Sequence, residues 1–565
     1  MASTASLRSR RSAAQLHALV GVERKIRAND HNGSRKYLRD FNEAFRAYDS
    51  VIGSTELARI IHGADIVLIG DYHALPASQA YAGSLLKKRA QLADRPIVLG
   101  LETVFSRDQH ILDEWLRGEI DEQELRQRIR FDLDWGYEWV PLYQLLEKAR
   151  AHTAGIYGLD CMPREDLRKI TARDRHAAEK IAEVRQRHPD AVIMVLFGES
   201  HLAPAHLPSL VREQLPHERV LTVLQNVDAL YWRAAGEQLE NVEAVRVADD
   251  VLCVFNSTPL EKYENYRLCL DRWGREGGVG SPDLGPTIYN LIDGLLRFLD
   301  INRYSSHNGT QPKFLVDLLP EVYCRSSDGM LRRLLSRKAV SEEEKKSMLR
   351  KVEERGSAYL PRVNAFYICD FQMTYAAEEV ARFLHHACRG LPSRVNGHPP
   401  SFMELNADDV FYARVLEHAL GYFGSRVLCP ARPALRETDL YELYDETRED
   451  LEQQTPFSFA ELMKAVDFLV LHRQFEADAR RYPEPPKLIH EGVRSTGEKL
   501  EYLAQQLGYL LGSDLYDGYL QGRISRRSLR QLFLTHIEES GVPREQYFSL
   551  VRRLRAKKRK KVVSS

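Results

Sequence analysis

The chain has 565 residues, 44% of them apolar, and its 80 Lys and Arg balance 80 Asp and Glu. That length points to about three or four domains of ordinary size. The zero net charge excludes a sequence-wide nucleic-acid coat or an acidic buffering chain. The seven cysteines (Cys161, Cys253, Cys269, Cys324, Cys369, Cys388, Cys429) form no CxxC pair, and an odd number suits no disulfide framework. A reducing compartment is expected. The longest apolar run, AVIMVLF at 191–197, is far shorter than the ~20 residues of a membrane span. The N-terminal MASTASLRSRRSAAQ lacks the apolar core of an export signal, so the cytoplasm is the expected location.

Residues 1–60 read as a polar helical arm. From 61 to 262 the pattern changes to short continuous apolar runs: ADIVLIG, PIVLGLE, AGIYGLD, AVIMVLFG, RVLTVLQ and DDVLCVFN. Such runs suit strands covered on both faces. Helix-compatible stretches such as ASQAYAGSLLKKRAQLA and DRHAAEKIAEVRQRH separate the first four. The alternation predicts an α/β fold, a largely parallel mixed sheet with flanking helices, followed by a mostly α-helical C-terminal region. Residues 263–286 read as a linker, with GREGGVGSPDLGP (274–286) its clearest part. Segments of helical period then fill 287–550, with breaks at GLPSRVNGHPP (390–400) and RRYPEPPK (480–487), and helix is expected almost throughout. A basic tail occupies 551–565, and RRLRAKKRKK (552–561) carries eight basic residues in ten. It reads as a solvated helix end, dispensable for folding, with nucleic acid or an anionic surface as the alternative partner.

Ligands of an open α/β sheet bind beyond the carboxyl ends of its strands. Two stretches place a Gly, an acid, a third residue and a His at such an end: LIGDYH, with Asp71, Tyr72 and His73, and LFGESH, with Glu199 and His201. With 33 Gly and 19 His, chance supplies roughly one G-x-x-H in the chain (33 × 19 / 565), so one match says little. Two matches, each after an apolar run and each with an acid behind the Gly, say more. Glu102 closes PIVLGLE and Asp160 closes AGIYGLD, so His73, Glu102, Asp160 and His201 should share one rim. The alternative is a pair of histidines held by local hydrogen bonds near turns. EEVARFLHHAC puts Glu378, Glu379, His385 and His386 on one helix, but a Glu–His separation of seven is too long for a di-iron motif and reads as a solvated face. Cys161 reads as an inert buried thiol, and His110 and His206 lie near the motifs without belonging to them.

Residues 61–262 resemble the ChaN-like haem-binding family, part of the larger grouping with erythromycin esterase, Tiki and TraB proteins. The resemblance rests on GDYH, LGLE, ARDRHAAEKI and FGESH, with FSRDQHILDEWLRGEI, WGYEWVPLYQLLEKA and LDCMPR around them. By position it assigns the core roles to His73, Glu102, Arg173 and His201, with Arg175 the alternative to Arg173 if the register slips. It departs from the family in having Asp160 before the xPR element and no lipobox.

Two function classes follow. The first is a haem or iron protein whose crevice, lined by Trp135, Trp139, Tyr and Phe, stacks on a porphyrin. There Tyr72, His73, Tyr143, Arg173 and His201 are the cofactor-binding candidates, Arg173 pairing with propionates. The second is a hydrolase of the erythromycin-esterase or Tiki type. In it His73 or Glu102 activates water, His201 is a second acid/base group and Arg173 stabilises developing negative charge. His73, Glu102 and His201 are also the candidate ligands of a divalent Mn, Zn or Fe. A third reading is a scaffold with a vestigial pocket. Haem or a small molecule is the expected partner, and a second copy of the chain is a further candidate.

Overall fold

The computed structural model describes residues 15–555 apart from 17, 27–35, 93, 163–169, 237–241, 274–282, 302–318, 325–330, 332–341, 390–405, 431, 443–457, 479–496, 536 and 538. The chain divides into two compact units, residues 19–280 and residues 1–18 with 281–565. The core of the linker (274–282), the breaks at 390–400 and 480–487, and the tail from 556 lie outside the described residues.

In the first unit the six short apolar runs form strands, and two further strands, β1 and β7, join them: β1 (Ser50–Ile52), β2 (Ile66–Asp71), β3 (Ile97–Phe105), β4 (Gly155–Asp160), β5 (Val192–Gly198), β6 (Val220–Gln225), β7 (Ala244–Ala248) and β8 (Val251–Val254). Their order is β1-β7-β8-β6-β2-β5-β3-β4. The run from β8 to β4 is parallel, whereas β7 lies antiparallel to both β8 and β1. The fold is therefore α/β with a largely parallel mixed sheet. Successive side chains of a strand point to opposite faces. In β2, Val67 and Ile69 join one core, and Ile66 and Leu68 join the other. Both faces are covered, which is why the runs show no polar alternation. Within the stretch read as a helical arm, Ser50–Ile52 is instead a strand, because β7 offers it an edge to pair with.

The second unit is mostly helical, with long helices at Gly285–Leu299, Met373–Arg389, Ala407–Leu428, Phe459–Ala477 and Gly497–Leu520. Helix is not continuous from 287, however. A three-stranded sheet intervenes, formed by β9 (Glu321–Cys324), β10 (Ser357–Leu360) and β11 (Ala365–Ile368). β10 and β11 are a hairpin whose Tyr359 and Phe366 pack on Phe383. SAYL and AFYI are apolar runs of the strand type, embedded between strongly helical segments.

The Glu378–His386 segment also differs from its expected solvated face. Glu378, Glu379 and His385 are buried. Glu378 accepts from Arg355 (3.1 Å), Arg432 (2.8 Å) and the Tyr509 hydroxyl (2.7 Å), and Glu379 accepts the Tyr359 N–H at 2.8 Å and pairs with Lys351 and Arg382. Charged residues face inward here because other elements supply the cations. The basic run begins inside the helix Val542–Arg555, where Leu554 is buried and Arg555 reaches Glu476 at 3.1 Å. Among the described residues no helix is long and apolar enough to cross a membrane.

The spacing of β3 and β4 positions the site, and Gly158 sets it. A Cβ there would lie 2.7 Å from the Phe105 carbonyl oxygen and 2.8 Å from that of Val104, both backbone atoms with no rotamer to yield. Gly158→Ala is expected to cost about 1–3 kcal/mol of stability, measured by urea unfolding, as overpacking does. An unchanged midpoint would mean that the two strands part without cost.

Candidate functional site

Four adjacent strands, β2-β5-β3-β4, deliver the sequence-selected side chains to one edge. Asp71 of β2 is the Cα partner of Gly198 of β5, so the two glycine-led motifs leave the sheet side by side. The ladder between β3 and β5 stops at Leu101 opposite Leu196, and Glu102 comes next. β3 itself runs on to Phe105 through a register shift against β4, so Glu102 sits inside the strand rather than closing it. Its Oε2 accepts the Gly198 N–H at 2.5 Å. A Cβ on residue 198 would stand 2.9 Å from that oxygen and 3.1 Å from His73 Nε2, so this close approach needs glycine.

Arg173, in the first turn of helix Ile170–Arg187, closes the constellation. Its Nε and Nη2 donate to the two oxygens of Asp160 at 2.8 Å each, and Nη2 also donates to Glu102 Oε1 at 2.7 Å. Arg173 is 5% exposed and Asp160 fully buried. Burial opposes the guanidinium charge, but Glu102 and Asp160 outweigh it and drive the Arg173 pKa up. Arg175 faces solvent, whereas Arg173 is buried in the cluster.

Each histidine is held by its own aspartate. His73 Nδ1–H donates to Asp71 at 2.8 Å, and Asp71 also accepts from Gln79 at 2.6 Å. His201 Nδ1–H donates to Asp174 at 2.5 Å. The two Nε2 atoms then face the same carboxylate, each 3.7 Å from one oxygen of Glu102. His73 is 21% exposed at its side chain and His201 only 5%. Trp135 and Tyr137 lie against the His73 ring at 4.4 and 5.3 Å between centroids, and Trp273, 44% exposed, meets Tyr137 at 5.2 Å.

The other selected residues are placed apart from this centre. Tyr72 lies under the Lys262 ammonium at 4.5 Å, and burial pushes its hydroxyl well above the usual phenol range. Tyr143 stacks on Trp139, which is itself a core residue. Glu199 is paired with Lys262 at 3.0 Å, and burial pushes its carboxyl up. His110 is exposed, whereas His206 donates its Nδ1–H to the Ser200 carbonyl at 2.9 Å. Cys161 is half-buried, and burial followed by Asp160 raises its thiol pKa. Among the described residues no group of three or more His, Cys, Asp or Glu is placed to hold a metal ion. Sequence reasoning missed Asp174, Gln79, Tyr137 and Lys262. Asp174 had a visible signal, since it follows Arg173 in the ARDRH motif.

Breaking the Arg173 cluster from one side would take the guanidinium away from two buried carboxylates. Arg173→Ala should therefore cost about 3–5 kcal/mol in chemical denaturation. A loss below 1 kcal/mol would mean that water replaces the guanidinium freely.

Residues 57–191 match the family described as "Haem-binding uptake, Tiki superfamily, ChaN". This stretch contains His73, Glu102 and Arg173 and ends before His201. No curated protein matches the chain. Among solved structures, one titled "Cofacial heme binding to ChaN of Campylobacter jejuni" is similar at 14% identity, covering 31% of this chain and 87% of that one, with a TM-score of 0.27. Over residues 57–191, then, the chain is similar to the ChaN haem-binding proteins of the Tiki superfamily.

Proposed function

We propose that the α/β unit binds haem at the mouth of the sheet's carboxyl edge, with His73 as the side chain that meets iron. The match of residues 57–191 to a haem-binding family carries this reading. Two features of the mouth fit the group. Trp135 and Tyr137 lie tilted against His73 and Trp273 meets Tyr137 edge-on, an aromatic cluster that offers a porphyrin apolar contact beside the histidine. Asp71 holds His73 Nδ1–H, which leaves Nε2, 3.7 Å from Glu102 Oε2, as the donor atom and strengthens it as a ligand. The bound haem would supply an iron centre with axial-ligand chemistry.

The remaining candidates fit less well. His201 is buried, Tyr72 is covered by Lys262, and Tyr143 packs against Trp139. The Arg173 fork is engaged by Asp160 and Glu102, so propionates would need another cation. A divalent ion would compete for Glu102 with the Arg173 and Gly198 donors.

A Soret-band titration of the full chain tests the reading. Wild type should bind haem, His73→Ala should bind at least tenfold more weakly, and Asp71→Ala should lose roughly 10-fold through the ligand's support. His201→Ala should retain the Soret spectrum. Equal binding by wild type and His73→Ala would remove His73 from the role.

The two aspartate-held imidazoles facing Glu102 favour a second reading, acid/base hydrolysis. In it one Nε2 takes a proton from attacking water while Glu102, held by Arg173, faces the imidazolium that forms. Haem-free protein that cleaves a chromogenic ester, and loses that activity in both His73→Ala and His201→Ala, would support this reading over the first.

A further inference from the structure

A residue far from the motifs, on the helix Lys36–Ala44, reaches the back of the second histidine. The Tyr37 hydroxyl lies 3.0 Å from Asp174 Oδ2 and 3.0 Å from Thr171 Oγ1. Asp174 is fully buried, and its other oxygen takes the His201 Nδ1–H. The Tyr37 ring stacks on His206 at 3.8 Å and meets the His201 ring edge-on at 5.9 Å. His206 is in turn fixed to the Ser200 carbonyl, so the phenol is clamped on its face as well as at its oxygen.

Tyr37 has one proton to place between two oxygens. A carboxylate only accepts, whereas the Thr171 hydroxyl can donate. The hydrogen bonds therefore run in one direction, from Thr171 to Tyr37, from Tyr37 to Asp174, and from His201 Nδ1 to Asp174. Burial, with Asp174 adding to it, pushes the phenol up to about 12, so it remains a donor at neutral pH. A donor on one oxygen of a carboxylate draws charge away from the other. It also fixes the carboxylate's orientation, and through it the tautomer and tilt of the imidazole.

We propose that Tyr37 is a positioning residue of the site: through Asp174 it orients His201 and keeps that imidazole's Nε2 directed at Glu102. The inference rests on the Asp174–His201 pair and not on the identity of any ligand. Tyr37 lies outside the stretch that matches the haem-binding family.

The test is proton NMR of the haem-free full chain with labelled histidine rings. The His201 Nδ1–H resonance is identified by its loss in His201→Gln. Tyr37→Phe keeps the stacked ring and removes only the hydroxyl, so Asp174 becomes a stronger acceptor and the resonance should move downfield. 3-Fluorotyrosine at position 37, a stronger donor, should move it upfield, and this arm stands if Tyr37→Phe fails to fold. Thr171→Val should give a smaller downfield shift, because the relay loses its first donor. A resonance unmoved in folded Tyr37→Phe and in the fluorotyrosine protein would reduce Tyr37 to a packing residue. The absence of any downfield signal that depends on His201 would also overturn the proposal. Failure of haem binding would leave these shifts unchanged, so the two readings are tested separately.

Discussion

Arg173 binds carboxylates from two different strands, and the geometry of the whole carboxyl edge depends on that ion pair. Asp160 ends β4 and Glu102 sits in β3, and the guanidinium joins them with three hydrogen bonds. Taking these charges out of water costs several kcal/mol per ion, so the net gain in stability is small. What the pair supplies is direction. With Oε1 of Glu102 fixed by Arg173, Oε2 is turned to the Gly198 N–H. The carboxylate plane is then set against both imidazoles. A lysine could supply the charge but not the planar fork that reaches two partners at once.

Much of this edge was legible in the chain. A continuous apolar run that ends in glycine reads as a covered strand meeting a turn, and two such turns carried His73 and His201. Parallel strands end on one side, so the shared rim followed. Adjacency did not follow, because positions 73, 102, 160 and 201 do not state that their strands are neighbours. The ladder order β2-β5-β3-β4 supplies that. The second layer was less visible still. Asp174 is beside Arg173 in sequence, but that adjacency does not say that its side chain is buried against His201. Tyr37 could not be found from any local pattern, since only the packing of a distant helix brings it to Asp174.

The helical unit shows the opposite failure. EEVARFLHHAC has acids and histidines on a strongly amphipathic helix, and charge normally marks the wet face. Burial of Glu378 and Glu379 becomes affordable only because Arg355, Arg432, Lys351 and Arg382 converge on them. Three of these cations lie on other segments, so no window along the chain reveals the compensation. The β10–β11 hairpin was hidden for a related reason. Its four-residue strands are short, and the helix-rich sequence on either side dominates any reading by period.

The two imidazoles have matching supports but different surroundings, and this separates what they can do. Both give Nδ1–H to an aspartate, and both present Nε2 to Glu102. His73 stands at the boundary of the buried centre, partly exposed beside Trp135 and Tyr137. His201 is enclosed by Phe197 on one side and Tyr37 on another. A group that must exchange a bound partner needs the open position, because a buried ring would have to shed packed neighbours first. A group that must hold a proton at a fixed place gains from enclosure, since its hydrogen bonds strengthen as water is excluded. The same motif, written twice in the sequence, is thus differentiated by its packing: both rings present Nε2 to Glu102, but solvent reaches part of the His73 ring, whereas His201 is enclosed.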